Sequence, residues 1–512
     1  MSDPAPGPTP PPAPASPMTA PASGVKIRMY RQGLGDCFLL AFATGAERPF
    51  YMLIDCGVLL GTQDAADRIR KVAASLRDST GGTIDVLVAT HQHWDHLSGF
   101  DQARDLFDQI AFGEVWVAWT EDPTNELGNR LRARRKAHLR ALDSAARSLR
   151  AAGDADQAGT IEAVLGFFGD PAPAGQPSRI EAALDYVLGR GKPPRYRAPG
   201  EIVGLPGSPA RVYVLGPPQD EALLLRSTPS QRASEVYEKR LGLTEESAFF
   251  AAVAATAGPA QSAEDTELRD LSFPFDAIYR VDPGQAKADE FFQDHYYGPP
   301  EKPPAAAPAP EPSAGSNTPA VPDLQDMSWR QIEGDWLAGA DTLTLQLDSD
   351  TNNTSLALAI ELTPGGKVLV FPGDAQVGNW LSWQTVQWAQ DGVSGADLLR
   401  RAAFYKVGHH ASHNATLREK GLELMTRPDL VAMIPVDEQM AHRPKGGNPD
   451  GWDMPFSPLL DRLKVKTGGR VLRADLGLPP AADLAGLAAA EREAFAAAVV
   501  ETPLYLEITI LP

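Results

Sequence analysis

A chain of 512 residues, 43% hydrophobic and 22% charged, can bury a sizeable core, and its length allows two or three domains. No run approaches about eighteen uninterrupted apolar residues, and the opening MSDPAPGPTPPPAPASPMTAPASG lacks the basic start and apolar core of a secretory signal; neither a membrane span nor export is indicated, and the expected compartment is the cytoplasm. A formal net charge of −19 repels phosphates at long range, which argues against sequence-blind nucleic-acid binding over the whole surface and leaves room only for a local basic patch.

Residues 1–24 form a Pro/Ala tract with little to bury and are expected to be a disordered tail. VKIRMYR, DCFLLAFA and FYMLID then read as adjacent short strands. Cys37 and Cys56 sit inside these apolar runs, too few for a disulfide framework and placed as small buried thiols. From Asp64 to Asp78 the spacing of Ile69, Val72, Ala73 and Leu76 predicts a helix with one apolar face. IDVLVAT is a near-continuous apolar strand, as for a sheet covered on both sides, and GEVWVAW is another candidate. Residues 121–345 read as a mostly helical insertion, with a strand at 211–216 (RVYVLG) and a disordered Pro-rich linker at 298–322. Beyond it, SLALAIEL and KVLVFPGD pair across the turn from Thr363 to Gly366, and AFYKVG, LVAMIP, GRVLRAD and PLYLEITIL supply further strands. A helix is expected from Ala481 to Val500. Strands with interleaved helices on both sides of the insertion predict one α/β domain in two halves, 25–120 and 346–512, with layered sheets.

THQHWDH follows the IDVLVAT strand. His91 and His93, two apart on extended chain, point the same way, and Asp95 and His96 follow where the chain turns into a helix holding Phe100 and Leu106. Two pairs of ligands thus face one point. Imidazole with carboxylate suits zinc, manganese or iron, and the absence of a nearby cysteine argues for an open rather than a closed structural zinc site.

HQHWDH resembles the His-x-His-x-Asp-His signature of the metallo-β-lactamase superfamily. LIDCG with Asp55 is similar to that family's early strand-loop, which implies that Asp55, with Thr90 of the signature strand end, supports the ligands from behind. FPGDAQ with Asp374 resembles the position of its metal-bridging aspartate, and KVGHHASHNAT the last ligand loop, where His410 rather than His409 fits the register. The resemblance implies a four-layer αβ/βα sandwich with a large, mostly helical insertion, holding one or two divalent ions, zinc first and manganese or iron as alternatives. The ligands it implies are His91, His93, Asp95, His96, Asp374 and His410. A further histidine that most members carry is missing. His138 lies in a charged helix, His295 lies beside the linker, and RVYVLGPP offers Gly216 where a ligand is expected. The first ion would be left with His91, His93, Asp374 and water, or the site with a single ion.

Two ions about 3.5–4 Å apart would turn a bridging water into hydroxide near neutral pH. Asp95, His409, His413 and Lys406 are the candidate acid and base groups. Trp94 is expected as a cleft wall or packing residue. Aspartate at 374 rather than cysteine weighs against antibiotic hydrolysis, and Gln92 and His93 weigh against a diiron oxygen reductase. GLGDCFLLAF, NNTSLALAIEL and GHHASHNAT together are similar to the nuclease domain of ComEC-type competence proteins, with HHAS in place of HHGS. This implies a phosphodiesterase or nuclease acting on a phosphoester, single-stranded DNA or RNA being one class and a small phosphoester another. Arg130, Arg132, Arg134, Arg135, Lys136 and Arg140 form a run that could meet phosphates, Arg132, Arg135 and Lys136 foremost, although such a run is more often a solvated helix face. Carboxylic ester, thioester or lactone hydrolysis, and a non-catalytic metal-binding scaffold, are the alternatives.

Overall fold

The computed structural model describes residues 17–169, 178–226, 285, 288–292, 338–388, 390, 392–445 and 448–512. The chain divides into two compact units, Met1–Arg240 with Asp341–Pro512, and Leu241–Ala340. His295, the linker at 298–322 and most of the helical stretch expected over 221–293 lie outside the described residues.

Two sheets build it. The first has the order β14-β15-β1-β2-β3-β4-β5-β6, with β1 Val25–Tyr30, β2 Phe38–Phe42, β3 Phe50–Ile54, β4 Thr83–Val88, β5 Ala111–Ala118, β6 Arg195–Arg197, β14 Val499–Glu501 and β15 Tyr505–Ile510. The second has the order β13-β12-β11-β10-β9-β8-β7, with β7 Ile202–Gly204, β8 Arg211–Gly216, β9 Ala357–Glu361, β10 Val368–Phe371, β11 Ala402–Lys406, β12 Val431–Ile434 and β13 Val471–Arg473. Strand alternation sorts the side chains. Phe38, Leu40 and Phe42 enter the apolar layer shared by both sheets, while Cys37, Leu39 and Ala41 face a second layer beneath the helices. Phe38 meets Phe371 edge to face at 5.7 Å, joining one sheet to the other.

Helices α1 (Ala65–Thr80), α2 (Trp94–Gln102), α3 (Arg104–Phe107), α4 (Glu126–Ala152), α5 (Ala155–Leu165) and α6 (Arg179–Leu188) follow in the first half. Ile69, Val72 and Leu76 of α1, Leu97 and Phe100 of α2, and Ile180 and Leu184 of α6 cover the outer face of the first sheet. A short α7 (Glu221–Leu224), then α8 (Ala338–Asn352), α9 (Val377–Ser382), α10 (Gly395–Arg400), α11 (Glu438–Ala441), α12 (Ser457–Thr467) and α13 (Ala489–Ala498) complete the described helices used here. With α10 and α12 against the second sheet, the result is an α/β sandwich of helix, sheet, sheet and helix layers.

Four expectations are corrected. Residues 17–24 do not trail free: Met18 is buried, its N–H donating to the Ser79 carbonyl at 2.8 Å and its carbonyl accepting from Tyr51 Oη at 2.6 Å. One large apolar side chain gives the end of that tract something to bury. The insertion is narrower than 121–345, because β6 extends the first sheet, β7 and β8 extend the second, and α6 packs on α2. Three-residue strands such as RYR and IVG carry too little periodicity to be read in sequence. Leu106 belongs to α3, separated from α2 at Ala103, whose backbone leaves the helical region. The C-terminal helix is confined to Ala489–Ala498 and gives way to β14, which pairs antiparallel with β15.

Candidate metal centre

Parallel pairing of β3 with β4 sets Ile54 beside Val88, so the loops leaving both strands emerge together at one sheet edge. From the first comes Asp55; from the second come Thr90, His91 and His93. His93 is extended (φ −112°, ψ 149°) and caps α2, whose first turn carries Asp95 and His96. The acid at this end is favoured by the helix dipole. Backbone bonds lock that turn: Asp36 N–H donates to the Asp95 carbonyl at 2.9 Å and Cys56 N–H to the His96 carbonyl at 2.8 Å. Gly57 is needed here, because a Cβ would stand 2.3 Å from the Asp95 carbonyl carbon.

The second sheet delivers the rest from the ends of β10 and β11. Asp374 follows β10, and its backbone N–H donates to Ser355 Oγ at 3.1 Å. Asn353 Oδ1 accepts from the N–H groups of Gln376 and Asn379, both at 3.2 Å, so the NNTS segment fixes the loop that carries Asp374. Past β11, His409, His410 and Ala411 all take left-handed backbone conformations (φ 43°, 51° and 64°). Three consecutive side-chain-bearing residues there store strain of about 1–2 kcal/mol each. That tight coil swings His410 inward and aims His409 N–H at Asp374 Oδ1, 2.8 Å away.

Asp95, His96, Asp374 and His410 each offer a ligand atom, all four atoms lie within 4.8 Å of one another, and all four residues are buried. His96 Nε2 is 3.0 Å from Asp374 Oδ2, and His410 Nε2 is 2.8 Å from Asp95 Oδ2. His91 Nε2 and His93 Nδ1 converge at 3.0 Å beside this tetrad, and the His91 and His96 rings are 4.2 Å apart.

Hydrogen bonds behind the rings fix their orientation. Thr90 Oγ1 donates to Asp55 Oδ2 at 2.7 Å and therefore accepts from His91 Nδ1 at 3.0 Å; Asp55 Oδ2 accepts from His96 Nδ1 at 2.8 Å, and the Pro435 carbonyl from His410 Nδ1 at 2.6 Å. In each of these three rings Nε2 is thus the nitrogen turned to the centre; its lone pair would serve an ion once the protons that His96 and His410 give to Asp374 and Asp95 are displaced. The donor set fits a divalent ion. Ligand atoms about 2 Å from one ion stand about 3.3 Å apart, close to the separations seen, and the mix of imidazole with carboxylate matches zinc, manganese or iron. Among the described residues, Asp95 Oδ1 is buried without a hydrogen-bond partner, which leaves its lone pairs for an ion.

Electrostatics divide the site in two. Burial, reinforced by His96 and His93, pushes His91 well below the ordinary histidine value, and burial lowers His93 to about 3; both rings are neutral. Burial opposes charge on His96 too, but Asp374, Asp36, Asp95 and Asp55 outweigh it and raise that ring well above the ordinary value. Against its own burial, Asp374 is held far below the usual carboxylate range by Lys406, His96 and His410.

The remaining candidates separate. Lys406 is no solvated strand end: it is 1% exposed, and its ammonium donates to Asp374 Oδ1 at 2.9 Å, to the Gly373 carbonyl at 2.8 Å and to the Asp36 carboxylate. With its donors so engaged and its pKa raised by the two carboxylates against burial, it anchors the aspartates and holds its proton. His409 is buried next to Ser412 Oγ (2.8 Å), and burial lowers it to about 4. His413 is exposed, its ring 6.2 Å from Phe456. His138 is buried within α4, and Trp94 is fully buried core with the Arg179 guanidinium 4.6 Å over its ring. Arg132 donates to the Thr120 and Asp122 carbonyls, Arg135 faces Glu121 at 3.9 Å, and Lys136 faces Glu181 at 3.8 Å; the basic run is turned toward the chain's own acceptors. Gly216 ends β8 where a ligand was expected, and a Cβ there would meet Asn379 Oδ1 at 2.0 Å. The Asn379 side chain fills that space.

Residues 35–188 match the model of the metallo-beta-lactamase superfamily. Members of this superfamily are in general metal-dependent hydrolases, and the match spans HQHWDH while ending well before Asp374 and His410. No curated protein matches the chain. Among the described residues, no helix is long and apolar enough to cross a membrane.

Sequence reasoning missed Asp36, which pairs with Lys406 and approaches His96 Nδ1 at 3.8 Å. It also missed the roles of Asn353 and Ser355, and the pair Phe167 and Phe168 that walls His93 at ring distances of 5.8 and 4.7 Å. GLGDC and NNTS were visible as motifs, but Asp36 finds its partner Lys406 hundreds of positions away, and Asn353 and Ser355 find theirs in the loop that leaves the neighbouring strand β10.

Proposed function

We propose that the chain is a metal-dependent hydrolase of phosphodiester bonds. The carrying observation is the buried tetrad of Asp95, His96, Asp374 and His410, an oxygen- and nitrogen-rich set with no cysteine, assembled from three separate segments. Asp95, His96, Asp374 and His410, with His91 and His93 beside them, would hold the ion or ions. When bound, a divalent ion supplies Lewis acidity, making water a nucleophile near neutral pH and stabilising charge on a phosphoryl oxygen. The protein does the rest. Asp55 and Thr90 fix the inward nitrogens of His96 and His91, while Lys406 and the His409 N–H fix one oxygen of Asp374 and leave the other facing His96. Phe167, stacked on Trp452 at 4.8 Å, and Phe168 keep one side of His93 dry. Of the groups considered for proton transfer to the leaving oxygen, Lys406 is anchored, His413 faces out and His409 is held neutral by burial, so none of the three is assigned that role.

The resemblance of the GLGDC, NNTS and HHAS segments to ComEC-type nuclease domains supports the phosphodiester reading over a carboxylic ester. The α4 cations lie on the chain's own acceptors and the net charge is −19, which favours a compact phosphodiester over a long polynucleotide. The test is metal analysis of the purified chain with turnover of bis-p-nitrophenyl phosphate, a thioester, a lactone and fluorescent single-stranded DNA, each compared with Asp374→Asn. We expect phosphodiester turnover that falls at least 100-fold in the variant. Turnover of the thioester or lactone alone, or bound metal without any turnover, overturns the proposal.

A further inference from the structure

Four histidines converge on the centre, and three are held from behind by an acceptor: His91 by Thr90, His96 by Asp55 and His410 by the Pro435 carbonyl. His93 is turned the other way round. Its Nδ1 is the nitrogen that faces His91 Nε2 at 3.0 Å, so its Nε2 points to the rear, and with an ion held by both front nitrogens that Nε2 would carry the proton. Among the described residues, that buried Nε2 has no hydrogen-bond partner. A buried N–H without an acceptor costs about 1–3 kcal/mol, and metal-binding histidines nearly always give their second N–H to a carboxylate or carbonyl. Asp348 Oδ1 stands 3.8 Å behind it.

We propose that Asp348 is the positioning residue of His93: its carboxylate accepts the Nε2 proton and presents Nδ1 to the ion. The inference rests on the metal reading above. Asp348 sits in α8, buried; Asn352, one turn on, donates its Nδ2 to Asp348 Oδ2 at 3.1 Å, which turns Oδ1 toward His93. The same carboxylate faces His409, whose Nε2 is 3.9 Å from Oδ2. One side chain, 255 positions after His93, thus addresses the rear of a first-motif ligand and the ring beside His410. Asp348 is placed to orient rather than to ligate, because it faces the back of the His93 ring and the ligand pair converges at the front.

The experiment uses the full chain with zinc. Long-range proton–nitrogen NMR of the ring nitrogens, with His93 assigned by His93→Gln, reads its tautomer in the unaltered protein, and chelator competition reads zinc affinity in Asp348→Ala, Asp348→Asn and Asp348→His. We expect the Nε2–H form for His93, about 10–100-fold weaker binding of one zinc in Asp348→Ala, and partial recovery in Asp348→Asn, whose amide oxygen still accepts. The Nδ1–H form, or affinity in Asp348→Ala within twofold of the parent, overturns the inference. So does loss of a whole equivalent of zinc in both Ala and Asn variants with return in Asp348→His, which would make Asp348 a ligand. Should Asp348→Ala fail to fold, the tautomer decides alone. A parent protein that binds no zinc sinks the metal reading itself; a parent that binds it with Asp348→Ala unchanged sinks only the role given to Asp348.

Discussion

Lys406→Met removes the ammonium that Asp36 and Asp374 share while keeping an unbranched apolar stem of similar length. Both carboxylates and the ammonium are buried, the contacts are hydrogen-bonded, and the Gly373 carbonyl accepts the remaining proton at 2.8 Å. At an effective dielectric of about 20, each contact near 3 Å carries about 5 kcal/mol of attraction, and most of it is offset by desolvation. Deleting one partner of such a set leaves uncompensated buried charge and costs about 3–5 kcal/mol. Urea unfolding in EDTA should therefore show a loss of that size. Saturating zinc should recover more than half of it, because an ion held by Asp374 neutralises one of the two stranded carboxylates. A loss below about 1 kcal/mol in EDTA would refute the reasoning. Normal stability together with lost turnover would point instead to Lys406 as a proton donor.

Ala411 is fully buried, which ordinarily makes truncation to glycine unfavourable by about 1 kcal/mol, but its φ of 64° is one glycine adopts freely. Ala411→Gly is expected to lie within about 1 kcal/mol of the parent in thermal unfolding, whereas Ala402→Gly in β11, equally buried, should cost more. Equal losses in the two variants would show that the coil is unstrained. Glu361, 1% exposed, accepts from Arg401 Nη1 at 2.5 Å, Arg211 Nε at 3.0 Å and Gly365 N–H at 2.9 Å; against its burial, these partners lower its pKa. A depressed carboxyl contributes stability that is complete above its unfolded value of about 4.3 and is lost as pH falls through the lower folded value. Glu361→Gln should then cost about 2–3 kcal/mol at pH 7, and the gap to the parent should close as pH drops below about 4. A gap that stays constant from pH 7 to 3 in denaturant titrations would rule this out.

Local pattern alone determined much. The apolar alternation of VKIRMYR and DCFLLAFA, the helical spacing of Ile69, Val72 and Leu76, and the crowding of HQHWDH after a strand each reflect physics confined to a few neighbouring residues, and each is legible without coordinates. Asp95 and His96 fall in the first turn of one helix, so their company follows from spacing. What the tertiary structure decided is the company kept across the two sheets. Asp374 and His410 reach the tetrad only because β10 and β11 end at the same edge as β4, and nothing in FPGD or GHHAS encodes that edge. Lys406 looks like a solvated strand end until Asp36 and Asp374 close around it, and the basic run of α4 looks like a phosphate patch until Glu121 and Glu181 face it. A side chain's charge is written in the sequence, whereas its partner and its exposure to water are set by which distant backbone the fold brings beside it, and those two decide whether that charge binds, catalyses or merely neutralises.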